Sequence, residues 1–475
     1  MRPPSSPSDG APSGPAALSG PAALSGSPAG GGTLSGALFG PLSGDPRVDA
    51  ETGDRAWLQA ILDFESGLAT AQAAAGLIPA EAAAAIADLC AAEEFDAADL
   101  GQRAVMAGNP VLPLVRDLGV RLPAAARPYV HHGATSQDAL DTAASLVAYR
   151  ALGPILDDLH GAADACADLA DTHRNTVMAA RTLLQQALPT TFGLKCAGWL
   201  TALDHAGGAL ARIRTERLAV QYGGAAGTLA ALGPGGAQVT ARLAAELGLA
   251  APALPWHTDR SRIGELAGAL GVAAGVLGKV ARDVVLLAQT EVGEVAEATG
   301  GGSSAMPHKR NPVRAVLVVA GTGRVPGLVA TVLSSASHEH ERAAGGWHAE
   351  WETLTALLRL VGGAAARTRE LLGGLRVDPE RMRRNLDLTG GLLLTERVAG
   401  LLAPALGRAA AHDLLARIGR EAPGTLRDAL LADPEIRTHL DRATIDEALD
   451  PAGYLGSAPE FVDRALAAHR ERKAP

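Results

Sequence analysis

Residues 262–298 carry apolar side chains at Ile263, Leu266, Leu270, Ala273, Leu277, Val280, Val284 and Leu287, alternating by three and four. That spacing keeps one stripe of a helix apolar and predicts a coiled-coil-like seam inside a helix bundle. At 1.5 Å per residue the helix would be roughly 50 Å long. One chain of 475 residues rarely covers such a rod, so partner subunits are expected along it. The alternative is burial wholly within its own chain. No alternating strand pattern runs longer than a few residues. Aromatic residues are 3% of the chain, and Ala, Leu, Gly and Val fill it instead, which favours closely packed helices. The expected fold class is all-α.

The bundle has different material on either side. Residues 1–37 are dense in Pro, Ser, Gly and Ala, with PAALSG at 15–20 and again at 21–26. Such sequence buries too little apolar surface to offset its ordering entropy, so a disordered tail is expected. Residues 38–125 read as an N-terminal helical domain. Trp57, Leu58, Ile61, Leu62, Leu68 and Ala69 fall at roughly helical spacing, Asp54 is a candidate N-cap, and Gly76 and Pro79 mark the end. Another helix is expected from Pro79 to near Glu94. Residues 126–371 form the central bundle domain. In residues 372–475, Pro379, Gly390, Gly391, Pro404, Pro423, Pro434 and Pro451 punctuate short helices of a third domain.

The net charge of −9 and the absence of a long basic run argue against a nucleic-acid partner. Cys90, Cys166 and Cys196 lack metal-ligand spacing and sit among apolar neighbours, as small core residues of a reducing compartment do. The first ten residues lead into no apolar signal segment. The most apolar stretch, residues 315–335, is interrupted by Arg324, Pro326 and glycines and reads as a buried helix, not a membrane span. A cytoplasmic protein without a membrane partner is expected.

Four polar islands interrupt the apolar helices: residues 129–142 (YVHHGATSQDALDT), 181–195 (RTLLQQALPTTFGLK), 300–312 (GGGSSAMPHKRNP) and 338–351 (HEHERAAGGWHAEW). Alone, Thr135, Ser136 and Asp138 would be helix caps. No metal is expected. His338, Glu339, His340 and Glu341 alternate, and helical residues two apart point away from each other. The glycines of the third island are not followed by the GK[ST] of a phosphate loop. That island instead combines backbone freedom at Gly300, Gly301 and Gly302, hydroxyls at Ser303 and Ser304, positive charge at Lys309 and Arg310, and the Asn311 amide. The set suits a reaction that makes or breaks a carbanion beside a carboxylate: a hydroxyl moves the proton and an ammonium stabilises the spreading charge.

Residues 302–312, GSSAMPHKRNP, resemble the signature loop of the fumarase/aspartase superfamily, G-S-S-x-M-P-x-K-x-N-P, with every fixed position filled. The resemblance extends over roughly residues 38–470. It implies three helical domains, a central bundle associating into a homotetramer, and active sites built from islands on different chains. Ser303 corresponds to the proton-transferring serine. Lys309 and Asn311 correspond to the pair that binds the substrate carboxylate and stabilises the carbanion.

The second island separates the branches. Members that expel an amine usually read R-T-H there, their histidine being associated with protonating the leaving nitrogen. Here the residues are Arg181, Thr182, Leu183, Leu184, Gln185 and Gln186. Leu183 moves no proton, and a further imidazole position is Gln186. A carboxylate, with a pKa of about 4, needs no acid to leave. The chain therefore resembles the 3-carboxy-cis,cis-muconate cycloisomerase branch, which closes a lactone by adding a substrate carboxylate across the substrate's own double bond. An aromatic residue often stands in that branch at the Leu183 position. The stretches QYGGAAGTLAALG, PWHTDRSRIGE, QTEVGEVAE and RMRRNLDLTGGLLLTERV resemble it too.

This resemblance implies a small tricarboxylate substrate and no cofactor. Lys309 and Arg342 are the expected cations, with Arg260 or Arg262 next. Thr135, Ser136, Gln185 and Asn311 are expected to bind carboxylate oxygens. His131, from the H-x-G-x-T-S motif, would bind substrate or relay the proton. Three rivals stand beside this: a C–N lyase acting on a succinyl compound, a catalytically silent structural or binding protein on the same scaffold, and a regulatory nucleic-acid binder, which the acidic balance disfavours.

Overall fold

The structure, a computed structural model, describes residues 36–298, 301–302, 306–421 and 424–473. The expected tail lies outside the described residues up to residue 35, and residues 36 and 37 already belong to the helix Gly36–Ser43. The fold is all-α. Among the described residues the only sheets are three two-stranded ladders.

Five segments carry the bundle. α1 (Asp54–Ala74) precedes it, begun by Gly53 as the N-cap where Asp54 was expected. α2 (Ser136–Thr172) leads into a hairpin, β1 (Val177–Thr182) and β2 (Gln185–Thr191), and α3 (Phe192–Arg212) runs back. α4 (Ser261–Leu287) runs forward, and α5 (Val313–Thr322) and α6 (Val325–Ser335) return. α7 (Gly346–Gly373) runs forward again.

The seam of α4 forms as the spacing predicts, but it ends at Leu287, eleven residues before 298. Gly293 turns the chain at φ +60°, and Val295–Glu297 then pairs antiparallel with Leu375–Val377. All eight seam residues are buried by their own chain. The seam therefore gives no reason to invoke a partner subunit. What stays uncovered is the opposite face: Val272 is 61% exposed, and Val313, Val316 and Leu333 on α5 and α6 are exposed too. Gly271 and Gly278 let α4 come close to this pair. A Cβ on Gly278 would lie 2.8 Å from Thr322 Oγ1, and one on Gly271 3.1 Å from Val329 Cγ2.

Residues 313–335 correct a second expectation. They are not one buried helix but two helices of 10 and 11 residues, broken at Gly323 and Arg324, and most of the stretch is exposed or half-buried. Each helix has about half the ~20 residues a membrane span requires.

One apolar core runs from Val48 in the N-terminal helices to Val462 and Leu466 in the last helix, Ala458–Lys473. A separate small core gathers Val398, Leu402, Leu415, Leu430, Ile436 and Ile445. The three cysteines are unpaired and buried.

The helix directions position the site. α2, α4 and α7 have 37, 27 and 28 residues, hence lengths of about 55, 40 and 40 Å. Their N-terminal ends are tied together. Arg260 lies between Asp141 of α2 and Glu350 of α7, and Asp259 bridges to Ser337. At their C-terminal ends stand the hairpin, the Val295–Glu297 ladder and the Arg310–Asn311 strand. The first and fourth polar islands occupy one end of the bundle. The second and third occupy the other.

Candidate active site in two halves

At the N-terminal end, Asp138 in the first turn of α2 organises the backbone. Its carboxylate accepts from the amides of Thr135 (3.0 Å), Gly223 (3.0 Å) and Gly224 (2.9 Å), and pairs with His257 Nε2 at 2.7 Å. Gly223 is required there, since a Cβ would lie 2.7 Å from Pro255. Arg342 closes the group. Its Nη1 donates to Thr135 Oγ1 at 2.7 Å and its Nη2 to the Ala225 carbonyl at 3.2 Å. Thr135, Ser136, His131 and Arg342, all expected in the site, thus share one half-buried region.

His131 holds a left-handed backbone at φ +56°, and its Nδ1 lies 2.6 Å from Glu65 Oε1. Burial works against the charged imidazole, but Glu65, with Asp138 behind it, outweighs burial and raises its pKa.

Arg260 and Arg262 stand at the start of α4 in different surroundings. Arg260 is buried, and four of its N–H groups are taken by Asp141 and Glu350. Trp347 Nε1 donates to the same Asp141, and the Trp256 ring stacks on the guanidinium. This cation pins three helices and is not presented to a ligand. Arg262 donates to the Arg217 carbonyl at 2.8 Å, and burial lowers its pKa.

At the other end, the hairpin tip is Leu183–Leu184 between the paired Thr182 and Gln185. Both leucines have positive φ, +50° and +65°, and are 97% and 72% exposed. Two positive-φ residues between paired strands form the primed turn that hairpins favour. Sequence reasoning found no strand here because the usual Asn-Gly signal is absent. Arg181 is bidentate to the buried Glu294 at 2.7 and 2.9 Å, and Asn385 supports that carboxylate at 2.8 Å. Gln186 donates to the Asn385 carbonyl, while its Oε1 is buried without a partner. Gln185 is exposed beside the tip.

The third island is closed by the pairs Gly301 with Asn311 and Gly302 with Arg310. Lys309 and Asn311 line a cleft of about 720 Å³ together with Thr290, Gly293, Glu297 and Val316. Ser303 lies outside the described residues. Among the described residues no group of three or more His, Cys, Asp and Glu is arranged to hold a metal.

Glu65, Asp138, His257 and Glu294 escaped the sequence reading as site components. Glu65 did leave a signal. It is a charge on the buried face of α1, flanked by Ile61, Leu62, Leu68 and Gln72 at helical spacing.

Comparison with known proteins places this architecture. The lyase family profile matches residues 45–327, and the adenylosuccinate lyase C-terminus profile matches residues 391–465. The chain belongs to the lyase family of the fumarase/aspartase superfamily. Within it, the chain is 49% identical over 425 residues to a 3-carboxy-cis,cis-muconate cycloisomerase of Pseudomonas aeruginosa, covering 88% of this chain and 93% of that protein. It is 46% identical over 454 residues to a nitrosuccinate lyase of Streptomyces davaonensis, covering 91% and 95%. The crystal structure of the 3-carboxy-cis,cis-muconate lactonizing enzyme from Pseudomonas putida superposes with a TM-score of 0.87 at 45% identity, covering 92% of this chain and all of that one.

Proposed function

We propose that the protein lactonises 3-carboxy-cis,cis-muconate to 4-carboxymuconolactone, in the protocatechuate branch of the β-ketoadipate pathway and in the cytoplasm. The observation that carries this reading is Leu183. Where an amine-expelling lyase needs an acid, the chain presents an aliphatic side chain on an exposed turn tip. Several relatives of cycloisomerase name support it.

In the reaction one substrate carboxylate forms a C–O bond to the ring-closing carbon. The π electrons of the attacked double bond move toward the neighbouring carboxyl as an aci-carboxylate. Lys309 and Asn311 stabilise that charge. Ser303 then delivers a proton, drawn from water, to the α-carbon. Arg342 and Thr135 bind a further carboxylate through the guanidinium fork and hydroxyl.

The two halves lie at opposite ends of a bundle at least ~40 Å long, so one chain does not assemble them around one substrate. A homotetramer does so if neighbouring bundles run antiparallel, each end of one meeting the opposite end of the next. The uncovered apolar face of α4, α5 and α6 supports such packing.

A second reading is elimination from nitrosuccinate, favoured by the Streptomyces relative. Nitrite, like a carboxylate, leaves without an acid, so Leu183 is compatible with it. Incubation of the purified protein with 3-carboxy-cis,cis-muconate, followed by diene absorbance and NMR, tests the first reading. Absence of lactone with an intact oligomer overturns it.

A further inference from the structure

Glu65 has an expensive position. It lies on the buried face of α1, is 1% exposed, and its Oε2 is buried without a hydrogen bond. Its one hydrogen-bond partner among the described residues is His131 Nδ1 at 2.6 Å. A carboxylate so placed costs stability unless its charge is compensated, and an apolar residue would pack the same site without that cost. His131 carries a second cost, a left-handed backbone unfavourable for a residue with a Cβ. Two penalties converge on one contact, and neither serves the core.

We infer that Glu65 is a positioning residue that keeps His131 protonated at Nδ1 and fixes its ring, so that the Nε2–H of an imidazolium is the donor offered to a substrate carboxylate. The inference rests on the reading of the N-terminal half as a carboxylate subsite. It also supplies a cation there now that Arg260 is committed elsewhere. Nε2 makes no hydrogen bond among the described residues. The charges acting on the ring are Glu65 from α1 and Asp138 from the first turn of α2; beyond them Tyr222 donates to the His132 carbonyl, His257 pairs with Asp138, and Arg342 donates to Thr135. The raised pKa of His131 agrees with this balance.

The sign follows. If the imidazolium binds substrate, activity falls as pH rises through the His131 pKa. Removing the Glu65 charge lowers that pKa, so the alkaline limb moves to lower pH. Glu65→Gln keeps the size and an acceptor for Nδ1–H. It is expected to raise KM, lower kcat/KM by about tenfold or more at neutral pH, and shift the alkaline limb of kcat/KM downward. A loss uniform across pH, with the limb unmoved, would mean Glu65 is structural and overturns the inference. Histidine ring ¹⁵N NMR on the wild-type protein tests the same point without substrate. Both His131 ring nitrogens still protonated well above the titration of a free histidine would support the inference; an Nε2 that has lost its proton at neutral pH, whichever state Nδ1 is in, contradicts it. The NMR result stands whether or not the protein lactonises muconate, so the two readings fail separately.

Discussion

Arg342 Nη1 lies 2.7 Å from Thr135 Oγ1, joining residues 207 positions apart at one end of the bundle. The same guanidinium reaches the Ala225 carbonyl, so three separate stretches converge on it. Arg342→Lys keeps the charge but loses the planar fork. It should lower kcat/KM by about tenfold to a hundredfold, mainly through KM, with the thermal transition nearly unchanged. A drop in kcat alone would place Arg342 in the chemistry and not in binding.

Arg260 makes the opposite case. Its removal leaves Asp141 and Glu350 buried without their shared cation. Arg260→Met should therefore destabilise the fold by about 3–5 kcal/mol, read as a lower denaturation midpoint. A variant of normal stability but weak substrate binding would restore Arg260 to the ligand site.

The hairpin tip holds two leucines where glycine or asparagine is favoured. Replacing Leu183 and Leu184 by Asn and Gly should stabilise the chain by about 1–2 kcal/mol in urea unfolding, because the primed turn suits those residues. Leu183→His should not speed lactonisation, since no leaving amine needs a proton. A large rate gain there would show that an acid had been missing.

If each site draws one half from each of two chains, two dead variants should rescue each other. Lys309→Ala and Arg342→Ala, each nearly inactive, are mixed 1:1 after dissociation and reassembled. About a quarter of the sites then regain both intact halves. No recovery, with mixed oligomers demonstrated, would contradict the shared site.

How much of this was legible beforehand follows from which forces leave a pattern in sequence. The α4 seam was readable because burial repeats with the helix period. Its end was not, because the stop comes from Gly293 and from pairing with Leu375–Val377, some eighty residues away. The hairpin was invisible because its turn breaks the usual residue preference. Arg342 and Thr135 were legible as polar residues among apolar helices, and the structure joins them. Arg260 looked the same in sequence, and only the tertiary placement of Asp141 and Glu350 commits it elsewhere.

The central claim is a lactonising enzyme without an acid for a leaving amine. The most direct measurement compares kcat/KM of the purified protein for lactone formation from 3-carboxy-cis,cis-muconate with that for nitrite release from nitrosuccinate, alongside Ser303→Ala. Efficient lactone formation, little nitrite and a loss of orders of magnitude in the variant are predicted. Efficient nitrite release with no lactone, or full lactonising activity without the Ser303 hydroxyl, would contradict the account.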